Sequence, residues 1–253
     1  MYAAHRTSAT EAWRHIRVAG GSDCCRPRSP AAGAHPRHNA PKHKFGRGTS
    51  TNWSGYAVNG TSATHVIGTW TQPAVVSCAT KENSWSSPWV GIDGDNSNTV
   101  EQIGTDTDCS NGAPYFYAWY EMYPKSLVLI NPNAVRVQAG DSFTAEVTYR
   151  STNSSYLLTL TNNTTLQTFS TSQASRKARR TSVEWVMEGP SSGLLTHFDS
   201  INFSNASATI GGLPASPSSS SAQSITMVTS QGVPRAVPTS ASGDAFSVNW
   251  QHG

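Results

Sequence analysis

Three side chains in this sequence stand where chemistry is possible: Gln102, Glu121 and Glu188. The stretch Trp89-Val-Gly-Ile-Asp-Gly-Asp-Asn-Ser-Asn-Thr-Val-Glu-Gln-Ile-Gly104 holds a Trp, three Gly, several carboxylates and one Gln. That composition makes a poor core, so its polar groups must face something, and it reads as one wall of a site. Glu121 stands among rings in Tyr117-Ala-Trp-Tyr-Glu-Met-Tyr-Pro124, and Glu188 ends the alternating run Ser182-Val-Glu-Trp-Val-Met-Glu188. Carboxylates gathered in a cleft suit proton transfer.

Strand alternation must place these groups. In the aromatic segment Tyr117, Trp119, Glu121 and Tyr123 share a face, so a carboxylate lies within a row of rings. In the later segment Val183, Trp185 and Met187 point one way, while Glu184, Val186 and Glu188 point the other. If the first face is core, the second is a cleft that carries acids. Plainer readings exist for each residue. A Glu on a strand is usually a solvated surface group, aromatic residues usually build core, and Asp93, between Gly91 and Gly94, suits a turn.

The rest of the chain is punctuated like an all-β protein. His65-Val-Ile-Gly-Thr-Trp70 reads as a strand stopped by Gln72-Pro73, and Ser142 to Tyr149 puts Phe143, Ala145, Val147 and Tyr149 on one face. Tyr156 to Thr161 and Thr164 to Ser170 read as a hairpin turned at Asn162-Asn163, since Asn tolerates positive φ. Further strands are expected at 200–203, 224–229 and 245–250. Arg176 to Arg180 and the Ser-rich 216–221 stretch read as surface loops, and no segment sustains a helical period. Strand signals every ten to fifteen residues predict an antiparallel two-sheet sandwich occupying 49–253 as one domain.

Residues 1–48 differ in kind. They hold nine Lys/Arg and two Asp/Glu, a net of +7, whereas 49–253 hold nine against thirteen, a net of −4. Rich in Arg, His, Pro and Ala without periodicity, this segment is expected to be disordered, and it lacks a signal-peptide core. It also lacks interleaved aromatics and any reading motif, so a nucleic-acid partner is not expected. No run approaches the roughly 18 apolar residues of a membrane span, and no membrane association is expected.

Cys78 and Cys109 flank the Trp89–Gly104 wall in polar contexts without His or Cys to complete a metal site, which points to a disulfide and an oxidising compartment. Cys24 and Cys25 take no role in this reading. A secreted location follows, with the start of the mature chain open.

Taken together and in order, Asn52-Trp-Ser-Gly55, Trp89-Val-Gly-Ile-Asp-Gly94, Gln102-Ile-Gly104, Ala118-Trp-Tyr-Glu-Met-Tyr-Pro124 and Val183-Glu-Trp-Val-Met-Glu188 resemble the glutamic peptidases called eqolisins, particularly their bacterial branch. The resemblance spans about residues 50 to 250. It implies a sandwich of the concanavalin A-like lectin and glucanase type, and an endopeptidase that works in acid on polypeptide substrates. It further implies that Gln102 and Glu188 are catalytic, that Trp89, Asp93 and Glu121 line or support the site, and that no metal or other cofactor is needed. Glu188 would take a proton from water and return it to the leaving amine, and the Gln102 amide would serve the oxyanion. An amide donor does not titrate, so it still works in acid. A monomer is expected. The competing reading is a carbohydrate-active enzyme or a carbohydrate- or peptide-binding module on the same sandwich, since aromatics with paired acids such as Glu121 and Glu188 also suit a glycosidase.

Overall fold

Alternating side chains of period two give each strand an apolar face, and two such faces close on each other. The computed structural model describes residues 44–46, 48–79 and 82–253, the backbone alone at 44–46. The first sheet runs Gln167–Ala174, Ser155–Asn162, Ser142–Arg150, His65–Thr71, Ser200–Ile210, Phe246–Trp250 and Pro234–Pro238, each antiparallel to its neighbour. The second runs Ala222–Val228, Trp53–Asn59, Ser182–Glu188, Ser87–Ile92, Val100–Ser110, Ala113–Tyr123 and Val128–Leu129, also antiparallel. Ala222–Val228 pairs with Pro234–Pro238 as well and so joins the two sheets. There is no helix among the described residues, hence none long and apolar enough to cross a membrane. The expected antiparallel sandwich is the fold observed.

Between the sheets lie Val66, Trp70, Phe143, Ala145, Val147, Leu158 and Leu160 from one side and Tyr56, Val90, Ile92, Ile103, Val183, Trp185 and Met187 from the other. Each large side chain withdrawn from water here contributes about 1.5 to 3 kcal/mol. The indoles also bond across the gap: Trp185 Nε1 donates to the Ile67 carbonyl at 2.7 Å, and Trp70 Nε1 to Thr105 Oγ1 at 3.1 Å. Gly68 permits this approach, because a Cβ there would stand 2.9 Å from both Trp185 Cδ1 and Val90 Cγ1. The second sheet buries its other face too, in a cluster of Trp53, Ala57, Trp89, Val100, Tyr117, Trp119, Val186 and Ile225.

Several local expectations are refined. The Tyr156 hairpin forms, but Asn162 pairs with Gln167 and remains in the strand, so the turn is 163–166 and the positive φ falls on Leu166. Asn162 acts through its side chain, accepting from the amides of Thr164 and Thr165 at 2.9 and 3.0 Å. The strand expected to end at 203 continues as Ser200–Ile210, bulging between Ser204 and Ser207, where Asn205 takes a φ of 50°. Pro234–Pro238 is a strand that its two prolines disguise. Cys78 and Cys109 form the expected disulfide, with a Cα separation of 5.4 Å. Most of the 1–48 segment, Cys24 and Cys25 included, lies outside the described residues; Lys44–Gly46 pairs with Thr49–Ser50.

Candidate active site

Cross-strand register decides which polar side chains meet. Gln102 is opposite Gly91 on one neighbouring strand and Glu121 on the other, and Gly91 is in turn opposite Glu184. Glu188 is opposite Ser87 and Trp53, while Trp89 lies opposite Val186 and Gly104. By alternation, Gln102, Glu121, Glu184, Glu188, Trp89 and Asp106 therefore project from the face of the second sheet turned away from the main core. All six are buried. The face expected to carry acids does so.

Neutral donors hold Glu188. Trp89 Nε1 donates to Oε2 at 2.9 Å and Asn52 Nδ2 to Oε1 at 3.1 Å, while the Ser50 hydroxyl donates to Asn52 Oδ1 at 2.8 Å. The same indole reaches toward the amide. A Cβ on Gly91 would lie 3.0 Å from Trp89 Cζ3 and 3.2 Å from Gln102 Cβ, so the benzenoid edge of Trp89 lies over Gly91 beside Gln102. Trp89 thus floors the space between the two residues, braced edge-on by Trp53 at a centroid distance of 4.9 Å. Gly91 leaves the room that this requires.

Gln102 Nε2 donates to Glu121 Oε2 at 2.8 Å. Because a carboxylate only accepts, this bond turns the nitrogen toward Glu121 and the oxygen away from it. Gln102 Oε1 is buried and meets no donor among the described residues. A buried amide oxygen of this kind is a ready acceptor for water or substrate.

Asp93 anchors a neighbouring loop. Its carboxylate accepts from the backbone amides of Arg179, Arg180 and Thr181 at 2.7, 2.7 and 2.8 Å, and from the Thr181 hydroxyl at 3.0 Å. The segment read as a solvated basic loop is therefore pinned by its backbone to the turn between the Ser87–Ile92 and Val100–Ser110 strands.

A second acidic group on the same face was not foreseen. The Tyr117 hydroxyl bonds to Asp106 Oδ2 and lies 2.9 Å from Asp108 Oδ2; Asp106 Oδ1 also accepts from Ser87 Oγ and, at 2.6 Å, from Trp119 Nε1. One phenol has one proton, so it cannot donate to both carboxyls. Burial, then the nearby Asp106 charge, pushes Asp108 well above the usual carboxylate range, toward the protonated form that such a group calls for. Burial does the same to Glu184, whose Oε1 accepts from the Asp95 amide at 3.4 Å. The sequence signal was present, since Asp106 and Asp108 alternate on one strand, but nothing in it placed Tyr117 between them.

The chain and its sandwich fold have known relatives. Residues 51–250 match the Peptidase A4 family. The chain belongs to that family of glutamic endopeptidases. Aspergillopepsin-2 of Aspergillus niger is 29% identical to it over 262 residues, covering 89% of this chain and 91% of that protein. The crystal structure of aspergilloglutamic peptidase from Aspergillus niger superposes with a TM-score of 0.58 at 30% identity, covering 66% of this chain and 99% of that one. Scytalido-glutamic peptidase bound to a transition state analog inhibitor is similar in fold, with a TM-score of 0.67 at 24% identity over 79% of this chain and 98% of that one. This A4-family chain is a hydrolase, and its substrates are proteins or peptides. Among the described residues no group of three or more His, Cys, Asp or Glu is arranged to hold a metal.

Proposed function

We propose that this peptidase cleaves polypeptides in acid with Glu188 as general base and acid and Gln102 as the oxyanion group, Trp89, Asp93 and Glu121 holding the pair in place. The observation that carries the assignment is the orientation of Gln102. Glu121 takes one of its N–H groups, which leaves the second N–H and the unpaired Oε1 for the reaction. In this reading a water lies between Glu188 and Gln102 Oε1. Glu188 removes its proton as the oxygen attacks the scissile carbonyl, the free Gln102 N–H receives the developing oxyanion, and Glu188 returns the proton to the departing amine. Trp89 and Asn52 orient the carboxylate, and Asp93 fixes the adjacent loop.

The carbohydrate-active alternative asks Glu121 and Glu188 to act as a working pair. Glu121 is instead engaged by Gln102, and family membership favours the peptidase. We further propose that the protein is exported and acts as a monomer, the export resting on the Cys78–Cys109 disulfide.

The test is hydrolysis of an acid-unfolded protein at about pH 4 by the wild type, Gln102→Ala and Glu188→Gln. Each variant should lose at least about 10²-fold in kcat, the scale typical of a lost oxyanion donor or general base. Near-normal turnover by folded Gln102→Ala would remove the amide from the mechanism.

A further inference from the structure

Next to the Gln102 end of the acidic face lies a pocket of about 570 Å³ whose lining includes Asn96, Ser97, Thr99, Tyr123, Lys177 and Arg179. A second hollow of about 410 Å³ shares Thr99, Tyr123 and Lys177 with it and adds Lys125 and Arg176. Four cations thus surround one depression. All four are exposed, and none makes an ion pair among the described residues. In a region 49–253 whose net charge is −4, they are a local concentration of unspent positive charge.

The nearby carboxylates do not neutralise them. Asp93 turns its oxygens to the amides of Arg179, Arg180 and Thr181, and Asp95 accepts from Asn59 Nδ2 at 2.8 Å. Glu101 and Glu184 are buried, and burial holds both toward the neutral form. The Asp93 clamp also gives Arg179 a fixed base, since its backbone amide is tied down while its side chain is exposed. Tyr123 is two residues along its strand from Glu121, and Thr99 three from Gln102, which places the pocket roughly 7 to 10 Å from the amide at about 3.3 Å per residue. An extended peptide covers that distance in about two to three residues.

We propose that this pocket is a specificity subsite for an acidic side chain, Asp or Glu, located two to three residues from the scissile bond on the Gln102 side of the substrate. The proposal rests on the placement of the reacting groups at Gln102 and Glu188. The cations, with Arg179 on its clamped backbone, recognise the ionised acid and reject its amide, and the polar rim from Asn96 to Thr99 supplies hydrogen-bond partners. Because a substrate Asp titrates near 3.9, the preference grows as the pH rises from 3 to 5.

The experiment uses the full chain and a set of internally quenched peptides in which Asp or Asn occupies, in turn, each of three positions on either side of the cleaved bond. At pH 5 and low salt, kcat/KM should favour Asp about three- to tenfold, at positions on one side only. The ratio should fall toward one at pH 3, in 1 M salt, and in the Lys177→Gln/Arg179→Gln variant. A ratio near one at every position, or a full preference surviving both the double variant and 1 M salt, overturns the proposal. The salt arm uses unmodified enzyme, so it decides the matter even if the variant folds poorly. Glu188→Gln separates the two readings: a variant that still cuts would displace the catalytic assignment, while the Asp/Asn ratio would still report on the pocket.

Discussion

Stability should fall as the pH rises from 4.5 to 8, and Glu101 is the residue through which that can be shown. It is buried on the core side of the Val100–Ser110 strand, and neither carboxyl oxygen has a hydrogen-bond partner among the described residues. Burial, then the charge of Asp93, pushes its carboxyl up to about 8 from 4.5, with the Ser175 hydroxyl close enough to oppose the shift. The folded pKa is raised, so the stabilisation is fully present below pH 4.5. Between 4.5 and 8 the unfolded chain has released a proton that the folded one keeps, and stability declines by up to about 1.4 kcal/mol per pH unit. Across the interval of about 3.5 units the ceiling is about 5 kcal/mol, and above pH 8 the contribution is gone. Asp108 and Glu184 are shifted the same way and add to the slope.

Glu101→Gln keeps the shape and removes the titration. Urea unfolding followed by tryptophan fluorescence at pH 4 to 8 should show wild type and variant close together at pH 4, and the variant more stable at pH 7 by up to about 3 kcal/mol. Parallel stability profiles would refute the reasoning, since Glu101 would then not hold its proton in the folded state.

Three further outcomes follow from the geometry. Trp89→Phe removes the indole donor to Glu188, so kcat should drop about 10- to 100-fold, with about 1 to 3 kcal/mol of stability lost from the buried site; unchanged kcat in the folded variant would make the bond incidental. Asp93→Asn replaces an acceptor of three backbone amides with a group that is half donor, so about 2 to 3 kcal/mol of stability should be lost, and limited proteolysis should open the chain near 176–181. Reducing Cys78–Cys109, which closes a loop of sequence separation 31, should lower unfolding stability by about 4 kcal/mol on the chain-entropy estimate, read as a shift in urea midpoint with and without reductant.

How much of this was legible in the chain itself follows from period. The Ser142–Arg150 strand alternates cleanly because one side faces core and the other does not, and it was readable at once. The Ser182–Glu188 strand is buried throughout, so hydropathy alone could not say which face held the site; the parity of Glu184 and Glu188 against Trp185 could. Pro234–Pro238 was missed because proline at both ends is a loop signal, and its neighbours supply the pairing that overrides it.

The sequence by itself determined the fold class, the disulfide partners and the shortlist of Gln102, Glu121 and Glu188, because alternation and residue chemistry are local properties of the chain. Tertiary structure alone decided the rest. Only the register across five strands brings Asn52, Trp89 and Glu188 together, turns Gln102 toward Glu121, and gives Asp93 the amides of a loop 86 to 88 residues away. Hydrogen bonds between residues this distant depend on which strands become neighbours, and that is settled by the whole core packing at once.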